Sequence, residues 1–524
     1  MAKEGVLAEP VEMMIWDSGF GMGESQAEVE ECIAVWIKNC VVTHQLVEHN
    51  TSISKPSAKW RASSAMQKAI RRGLSVTAER MAWGLHALDP EYLWRRLPVI
   101  AVEDIGVANI PLVAAVLWVS GKTKWREQNG GDAKILQALI VAMSHSVKDR
   151  SVCDLVVWVD SCPDLAEKRA MMDATVGDKP AVFMADHEFL ADRMLAGWAL
   201  AGTQTHKGDN VPPDIFGSIT SVLNYCEALP RVVRLIMRWG STKFGDAMPV
   251  AYPLIWEMAQ TTWADGPDKH GKHCGIYAKP DDLINLGMIG TNYPSAAFDW
   301  HCAEGKRALS YFNAACPPMA EFLTMCGIGS ETVDDKKARR LATSSLLFRV
   351  EGSQVNKRLV FEGSRDLYDL AELALNRACG IRGDLNDWGM ELMRANMPMM
   401  HHARLVVMDA FPAGKKVKSP DSFHVMQPNQ TVAGDTMWVD HGMLQVVSYQ
   451  DLTPAAVEPS WAASPDPAPG HTDLMVSPDA IDDVLEDDCV GAGVISYGAA
   501  AASDNLPPIK KKLVIKSKPK PGTV

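Results

Sequence analysis

The sequence predicts a mainly α-helical, multi-domain protein with a small β-containing C-terminal portion and a disordered tail. Apolar residues recur every three or four positions through most of the chain, which is the spacing of an amphipathic helix. A chain of 524 residues is too long for one simple hydrophobic core, so two or three domains are expected. Hydrophobic residues make up 47% and charged residues 22%, as in ordinary folded proteins, so most of the chain is expected to fold.

The first two predicted segments are helical. Residues 1–55 form a helical lead-in, and residues 56–170 form the first larger domain. This domain opens with a helix from about Ser57 to Arg72, which ends at Gly73, where glycine suits a left-handed cap. Ser75 is predicted to cap the next helix.

The start of the third helix of this domain is marked by Asp89-Pro90-Glu91, a cap, a proline at the first helical position and an acid. Pro98 lies within the same apolar pattern and removes one backbone hydrogen bond, so we expect a kink there or a break into two helices. Asn109 and Asp132 are predicted to cap the next helices. The apolar stretch 151–161 is predicted to be a buried helix rather than a strand.

Three further segments complete the predicted organisation. Residues 171–400 form a second helical region, and its best β-hairpin candidate lies near residues 343–363, where SSLLFRVEG and NKRLVFEG flank SQV. Residues 401–451 alternate in a strand-like way and form a small β-rich segment. Residues 452–524 are rich in Pro, Ala, Ser and Asp and form a disordered tail, acidic first and then basic.

Charge and cysteine usage narrow the class of protein. A net charge of -12 argues against binding a polyanion through a global field, so any nucleic-acid contact needs a local basic patch. The 11 cysteines never show CxxC spacing, which favours reduced thiols in a cytoplasm. The N-terminus has no apolar signal region, and no run of about 18 uncharged apolar residues occurs. We therefore expect a cytoplasmic protein without membrane association.

A basic run near the start of residues 56–170 is the best candidate for function. It contains no acid and includes one aromatic residue, so one helix face is expected to neutralise phosphates and stack a base. The alternative is a solvated helix surface paired with acids elsewhere in the fold. The candidate nucleic-acid-binding residues are Lys55, Lys59, Trp60, Arg61, Lys68, Arg71 and Arg72.

Two segments resemble known catalytic motifs, but each lacks a residue that its motif requires. SGKT at 120–123 resembles a phosphate-binding loop, but the glycine required five residues before the Gly-Lys is Val116. HEFLA at 187–191 begins like a zinc-protease helix, but the second histidine is replaced by Ala191. A helix cap and an exposed helix start are the better interpretations.

The sequence also gives no clear evidence for a metal site or for an acid–base catalytic pair. His270, His273 and Cys274, with His301 and Cys302, match no standard zinc spacing, so a polar surface loop is favoured. Adjacent carboxylates at Glu103 and Asp104 point about 100° apart on a helix and cannot face each other across a substrate. One is expected to pair with Arg95 or Arg96 or with a neighbouring helix, and the other to cap the segment after Gly106. No catalytic residue, metal site or cofactor is predicted, and the sequence leans against an enzyme.

The segment AIRRG…DPEYLWRRLPVIAVEDIG resembles the C-terminal helical domain of the MgsA/RarA family of replication-associated recombination ATPases, over residues 55–165. Pro98 stands where the family has an aliphatic or polar residue. The AAA+ ATPase module that precedes this domain in the family has no counterpart in residues 1–55. The residues that carry the resemblance are Lys68, Ala69, Ile70, Arg71, Gly73, Asp89, Pro90, Arg95, Arg96, Leu97, Ile100, Ala101, Glu103, Asp104, Ile105 and Gly106.

The resemblance implies the family's oligomerisation domain, usually tetrameric and acting beside the replication fork, without its motor activity. We therefore expect a non-catalytic, oligomeric helical protein of DNA replication or recombination, with DNA or a replisome protein as partner. Such an arrangement is typical of a phage or mobile-element protein. Two alternatives stay open at this point: a structural or assembly protein of a virion, and a metal-dependent hydrolase or nuclease.

Overall fold

A computed structural model describes residues 25–43, 58–174, 182–183, 190–201, 222–223, 226, 229–244, 248–263, 288–289, 293–353 and 364–410. Of these residues 86% are helical, which confirms the mainly α prediction. The predicted disordered tail at 452–524 lies outside them. The two strands they contain, β1 (Met288–Ile289) and β2 (Tyr293–Pro294), pair antiparallel with Met288 opposite Pro294.

Between Lys59 and Ala174 consecutive helices are joined by short connections. A π-helical turn (Ala101–Ile105) and a 3-10 turn (Gly106–Asn109) lie between the fourth helix and the fifth. The helices are α1 (Gln26–Thr43), α2 (Lys59–Arg71), α3 (Ser75–Leu88), α4 (Pro90–Ile100), α5 (Ile110–Ser120), α6 (Thr123–Gln128), α7 (Asp132–His145), α8 (Ser151–Ser161), α9 (Ala166–Ala174), α10 (Leu190–Ala201), α11 (Arg231–Phe244) and α12 (Met248–Trp263).

Three of the predicted helix boundaries are confirmed by backbone and side-chain geometry. Asp89 accepts a hydrogen bond from the Tyr92 amide at 3.0 Å, and Asn109 accepts one from the Leu112 amide at 3.1 Å. Gly73 has φ +72° and ends α2, as a left-handed cap should. The prediction of a buried helix at 151–161 is also confirmed, by α8.

Two predicted caps are wrong. Ser75 and Asp132 are the first residues of α3 and α7 and make no capping hydrogen bond, because Leu74 and Gly131 occupy the cap positions. The Asp132 carboxylate is used elsewhere. It accepts hydrogen bonds from Arg126 Nε at 2.7 Å and from Trp94 Nε1 at 2.9 Å.

Pro98 does not break the helix, which corrects the prediction of two shorter helices. It lies inside α4, and the α-helical pattern continues to Ile100 before the backbone widens into the π turn. A π turn carries i→i+5 hydrogen bonds and is often found at functional sites. The α-helical pattern is therefore interrupted a few residues after Pro98, at Ala101–Ile105, and the alternative of a kink at Pro98 stays a prediction.

The second half of the described chain is helical, and this overturns the hairpin prediction where it can be seen. Residues 343–353 belong to a long helix, because Ala342, Leu346 and Val350, spaced four apart, are buried along one face. The rest of the predicted hairpin lies outside the described residues. The helices are α13 (Ala303–Ala315), α14 (Pro317–Met325), α15 (Val333–Ser353), α16 (Ser364–Ala378), α17 (Asn386–Ala395) and α18 (Met397–Ala410).

The start of the predicted β-rich segment is also helical. Residues 401–410 lie in α18, where Met400, Ala403 and Val407 are buried at helix spacing. The short apolar run at 405–407 was compatible with either structure, and packing on the neighbouring helices decides for the helix. Residues 411–451 lie outside the described part of the chain.

The apolar core crosses the predicted boundary at residue 170. One cluster runs from Val29 of α1 to Cys302 and includes Leu367 of α16, and a second lies among α13–α18. Helix α16 packs along α8, and Arg349 of α15 forms a buried ion pair with Asp154 of α8 at 3.1 Å. Independent folding of residues 56–170 therefore stays a prediction.

The stretch Pro90–Ser120 is long and apolar enough to cross a membrane by length and composition. In this fold 78% of its most apolar window is buried inside the protein. Every residue of α5 is buried, including Val113 and Val116. The stretch is packed largely inside the protein.

Candidate functional site: a buried ion-pair cluster at a π-helical turn

Three of the residues that carry the family resemblance, Arg71, Glu103 and Asp104, meet at the π turn. Asp104 is fully buried, and its carboxylate accepts hydrogen bonds from Arg71 Nε at 2.6 Å and from Gln67 Nε2 at 3.0 Å. Arg150 approaches the same oxygen, with Nε 3.4 Å from Oδ1. We call Gln67, Arg71, Glu103, Asp104 and Arg150 the Asp104 cluster.

Electrostatics keep Asp104 ionised although it is buried. Burial alone would raise the pKa of this carboxyl, because a low dielectric disfavours the charged form. The charges of Arg71 and Arg150 outweigh burial and lower its pKa. The carboxylate is therefore a permanent counter-ion and a poor proton acceptor.

Glu103 completes the cluster at its more open side. Its Oε1 lies 3.3 Å from Arg71 Nη2 and 3.4 Å from Arg150 Nη2, and its side chain is 14% exposed. Of the expected partners, the neighbouring helix is correct, because Arg71 of α2 pairs with both acids, whereas Arg95 and Arg96 do not. Arg150 approaches both acids as well, and the predicted cap after Gly106 is wrong, because neither acid caps that segment.

Gly106 closes the π turn and lets a second segment approach. Its φ is +57°, and a Cβ at this position would lie 2.5 Å from the carbonyl oxygen of Asp149. Only glycine combines that backbone conformation with so close a contact. Tyr252 Oη of α12 donates a hydrogen bond to the Gly106 carbonyl at 3.0 Å, so the turn is held from both sides.

Three consecutive charged residues, Lys148, Asp149 and Arg150, are buried beside the cluster. Burial lowers the pKa of Lys148 to about 7, although nearby Asp104 opposes the shift. Burial raises the pKa of Asp149 to about 6, although the Ser151 hydroxyl and amide donate hydrogen bonds to it. Lys148 Nζ donates to the Ser144 carbonyl at 3.0 Å and also to that of Ser146.

Two other family-signature arginines lie at the edge of this region. Arg96 donates through Nη2 to Gln67 Oε1 at 2.5 Å, which links it to the Asp104 cluster through the glutamine. Arg95 lies 3.8 Å from Glu91 on the exposed side of α4, with 59% of its side chain accessible. Asp89 and Pro90 act as the helix start described above. The signature residues are therefore structural in their contacts.

The predicted basic face does not exist for the part of the run that is described. Lys59 pairs with Asp89 at 3.2 Å, and Arg61 pairs with Glu304 at 2.9 Å with 14% of its side chain exposed. Trp60 is half-buried and packs edge-on against Tyr92 with ring centroids 5.4 Å apart, so it takes part in packing within the fold.

The cations at the end of the run are buried more deeply. Lys68 pairs with Asp299, and Arg71 belongs to the Asp104 cluster. Arg72 donates to the Lys68 carbonyl at 3.2 Å and to the Glu351 carbonyl at 3.1 Å. The alternative, pairing with acids elsewhere in the fold, is correct for Lys59, Arg61, Lys68 and Arg71. The sequence could not show these pairs, because the acids lie 30 or more residues away. Lys55 lies outside the described residues.

The other candidate sites have ordinary structural roles where they can be seen. Lys122 of the SGKT segment pairs with Glu30 at 3.1 Å, and His301 pairs with Asp299 at 3.2 Å. Within the described ranges no group of three or more His, Cys, Asp or Glu side chains is placed to hold a metal ion. His270, His273, Cys274 and His187 lie outside those ranges.

Sequence reasoning missed Lys148, Asp149 and Arg150 as partners of the π turn. The sequence offered no signal for their burial, because three adjacent charges in the short connection 146–150 are ordinarily exposed. Comparison of the chain with protein-family profiles, curated proteins and solved structures gives no match.

Proposed function

We propose that this protein is a non-catalytic, oligomeric helical protein of DNA replication or recombination, with DNA as its partner. The proposal rests on the resemblance of residues 55–165 to the helical domain of the MgsA/RarA family. One observation supports that resemblance. Arg71, Glu103 and Asp104 come from the two separate motifs that carry it, and they form a single buried cluster.

The convergence matters because unrelated motif matches need not meet in space. Arg71 and Asp104 are 33 residues apart, yet they share a 2.6 Å hydrogen bond in the core. A motif pair that specifies one domain type should show such a contact, since polar groups in a core must satisfy one another.

The burial of the cluster supports a non-catalytic role. A general base needs a pKa near the working pH and access to a substrate proton. Asp104 has a lowered pKa and is fully buried. Lys148 and Asp149 have pKa values of about 7 and about 6, but both are buried, and both form hydrogen bonds within the fold.

The test combines mass and DNA binding of the full-length protein. Light scattering after size exclusion should give a mass several times the 57.2 kDa of one chain, and four times if the family's tetramer applies. Fluorescence anisotropy with labelled single-stranded, duplex and forked DNA should show binding that weakens with salt.

A monomer that binds none of these DNAs at low salt would overturn the proposal. An oligomer without DNA binding would remove the DNA part and leave a protein partner. Stoichiometric recovery of the protein in purified virus particles would favour the structural alternative instead.

A further inference from the structure

Helix α11 (Arg231–Phe244) carries a row of arginines that differs from the basic run at residues 59–72. Its apolar residues face the core, where Val233, Ile236 and Met237 are fully buried. Its sequence, RVVRLIMRWGSTKF, holds four cations and no acid. Arg231, Arg234 and Arg238 are spaced at i, i+3 and i+7, so they lie on one face of the helix.

The first two arginines of this row have no counter-ion among the described residues. The Nε atoms of Arg231 and Arg234 are shielded from solvent and have no hydrogen-bond partner. By contrast, Lys59, Arg61 and Lys68 of α2 are each paired with a carboxylate. A partly desolvated cation without a partner is unfavourable, and an incoming anion relieves that cost.

The third arginine extends the row to the solvent. Arg238 is exposed, and its Nη1 lies 3.4 Å from the neutral side-chain oxygen of Gln26 at the start of α1. At about 1.5 Å rise per residue the three arginines span about 10 Å along the helix axis. That length accommodates consecutive phosphates of one strand, and a guanidinium binds phosphate oxygens in a bidentate way.

The packing of α11 decides which kind of contact is available. The helix is held against α12, α5, α4 and α1, and the arginine row lies on a face where Arg238 is exposed. The row consists of guanidinium groups, which bind phosphate oxygens, and the backbone of a flexible single strand can adapt to it.

We propose that the row Arg231, Arg234 and Arg238 binds the phosphate backbone of single-stranded nucleic acid without reading its sequence. The inference rests on the DNA association proposed above and places it on α11 instead of on residues 55–72. It requires three phosphate contacts from this row.

The test is fluorescence anisotropy of the full-length protein with a labelled oligothymidylate of about 30 nucleotides. Affinity is measured across about 50 to 200 mM salt. The variant Arg231→Ala/Arg234→Ala/Arg238→Ala should lower the slope of log affinity against log salt by about 2, since each single-strand phosphate contact contributes about 0.7. Affinity at low salt should fall at least about tenfold.

Two controls separate this role from net charge and from folding. Lys337→Ala/Arg382→Ala/Arg394→Ala removes three exposed cations from α15, the segment after α16, and α17, and should leave the slope nearly unchanged. Arg231→Lys/Arg234→Lys/Arg238→Lys keeps the charge and should retain most of the slope. Far-ultraviolet circular dichroism of each variant verifies that the helices are intact.

The outcomes distinguish the two proposals. If the wild type binds and the α11 alanine variant binds equally well, the α11 inference is overturned while DNA association stands. If the wild type binds no nucleic acid at low salt, both fail. Equal loss in the α11 and control variants would show a net-charge effect and also overturn the assignment. Binding to anionic lipid vesicles without binding to DNA would replace nucleic acid by a membrane surface.

Discussion

Arg71 Nε donates a 2.6 Å hydrogen bond to Asp104 Oδ1, and neither side chain is more than 4% exposed. The pair joins α2 to the π turn after α4, and Arg150 reaches the same carboxylate from the segment before α8. One acid thus neutralises cations from two other parts of the chain. The folded arrangement of these elements depends on it.

Removing the charge of Asp104 should destabilise the protein strongly. Asp104→Asn leaves Arg71 and Arg150 buried with only the partly exposed Glu103 opposite them, and breaking a buried ion pair on one side costs about 3–5 kcal/mol. Urea unfolding followed by circular dichroism measures the loss.

The matched control is Glu91→Gln, which removes an acid from the exposed 3.8 Å pair with Arg95. Its effect should be close to zero, because solvent screens such pairs. An Asp104→Asn variant as stable as the control would show that Asp104 does not hold the cluster together.

Gly106 should tolerate alanine less well than Gly131, although both have positive φ values of +57° and +84°. A Cβ at Gly106 meets the Asp149 carbonyl oxygen at 2.5 Å, whereas one at Gly131 meets nothing within 4 Å. Backbone strain alone costs about 1–3 kcal/mol at each site, and the clash adds to it only at Gly106. Thermal unfolding of Gly106→Ala and Gly131→Ala compares them, and equal losses would contradict the close approach.

Helix starts could be predicted from the sequence, whereas the partners in the ion pairs could not. Asp89 and Asn109 were predictable as caps because each bonds an amide three residues away. The partner of Arg71 was not, because a 33-residue separation leaves no periodic signal and the π turn changes which way the acids point. The hairpin near 343–363 failed for a related reason, since a short apolar run has no period of its own until its neighbours bury one face.

The sequence alone did not single out the arginine row on α11 either. Arginines at i, i+3 and i+7 were visible in the sequence, but the run at 55–72 contained more cations and drew the functional assignment. Counting charges cannot tell cations that pair with carboxylates, such as Arg61 and Lys68, from Arg231 and Arg234, whose Nε atoms have no hydrogen-bond partner among the described residues. That distinction needs the positions of Glu304, Asp299 and Asp104, which the fold alone provides.

Lys148 should make the protein more stable as the pH rises above neutrality. Its pKa is about 7 in the folded protein against 10.5 for an ordinary lysine, so between these values the unfolded chain binds more protons. The free energy of unfolding should therefore rise by about 2 kcal/mol from about pH 7 to about pH 9. Urea unfolding at both values tests this, and Lys148→Met should remove most of the rise. An unchanged rise in that variant would assign it to another group.

Asp149 should make the protein less stable as the pH rises from about 4 to about 6. Its pKa is about 6 in the folded protein against 3.8 for an ordinary aspartate, so the folded protein binds more protons between these values. The stability that Asp149 contributes is present below the lower value and is lost as the pH rises through about 6. Urea unfolding between these limits should show a decline that is smaller in Asp149→Asn. A decline of the same size in both proteins would contradict the assignment.

A fragment of residues 56–170 should not fold cooperatively, although the sequence marks it as a domain. It lacks α1, whose Val29 and Ile33 belong to the same core cluster, and α16, which packs along α8. It also lacks Arg349, so Asp154, which is 2% exposed in the full protein, loses its 3.1 Å partner. Urea unfolding of this fragment should be broad beside that of residues 25–410, in which these contacts remain. A sharp transition in the short fragment would establish residues 56–170 as an independent domain and show that the contacts with α1, α15 and α16 are dispensable for its folding.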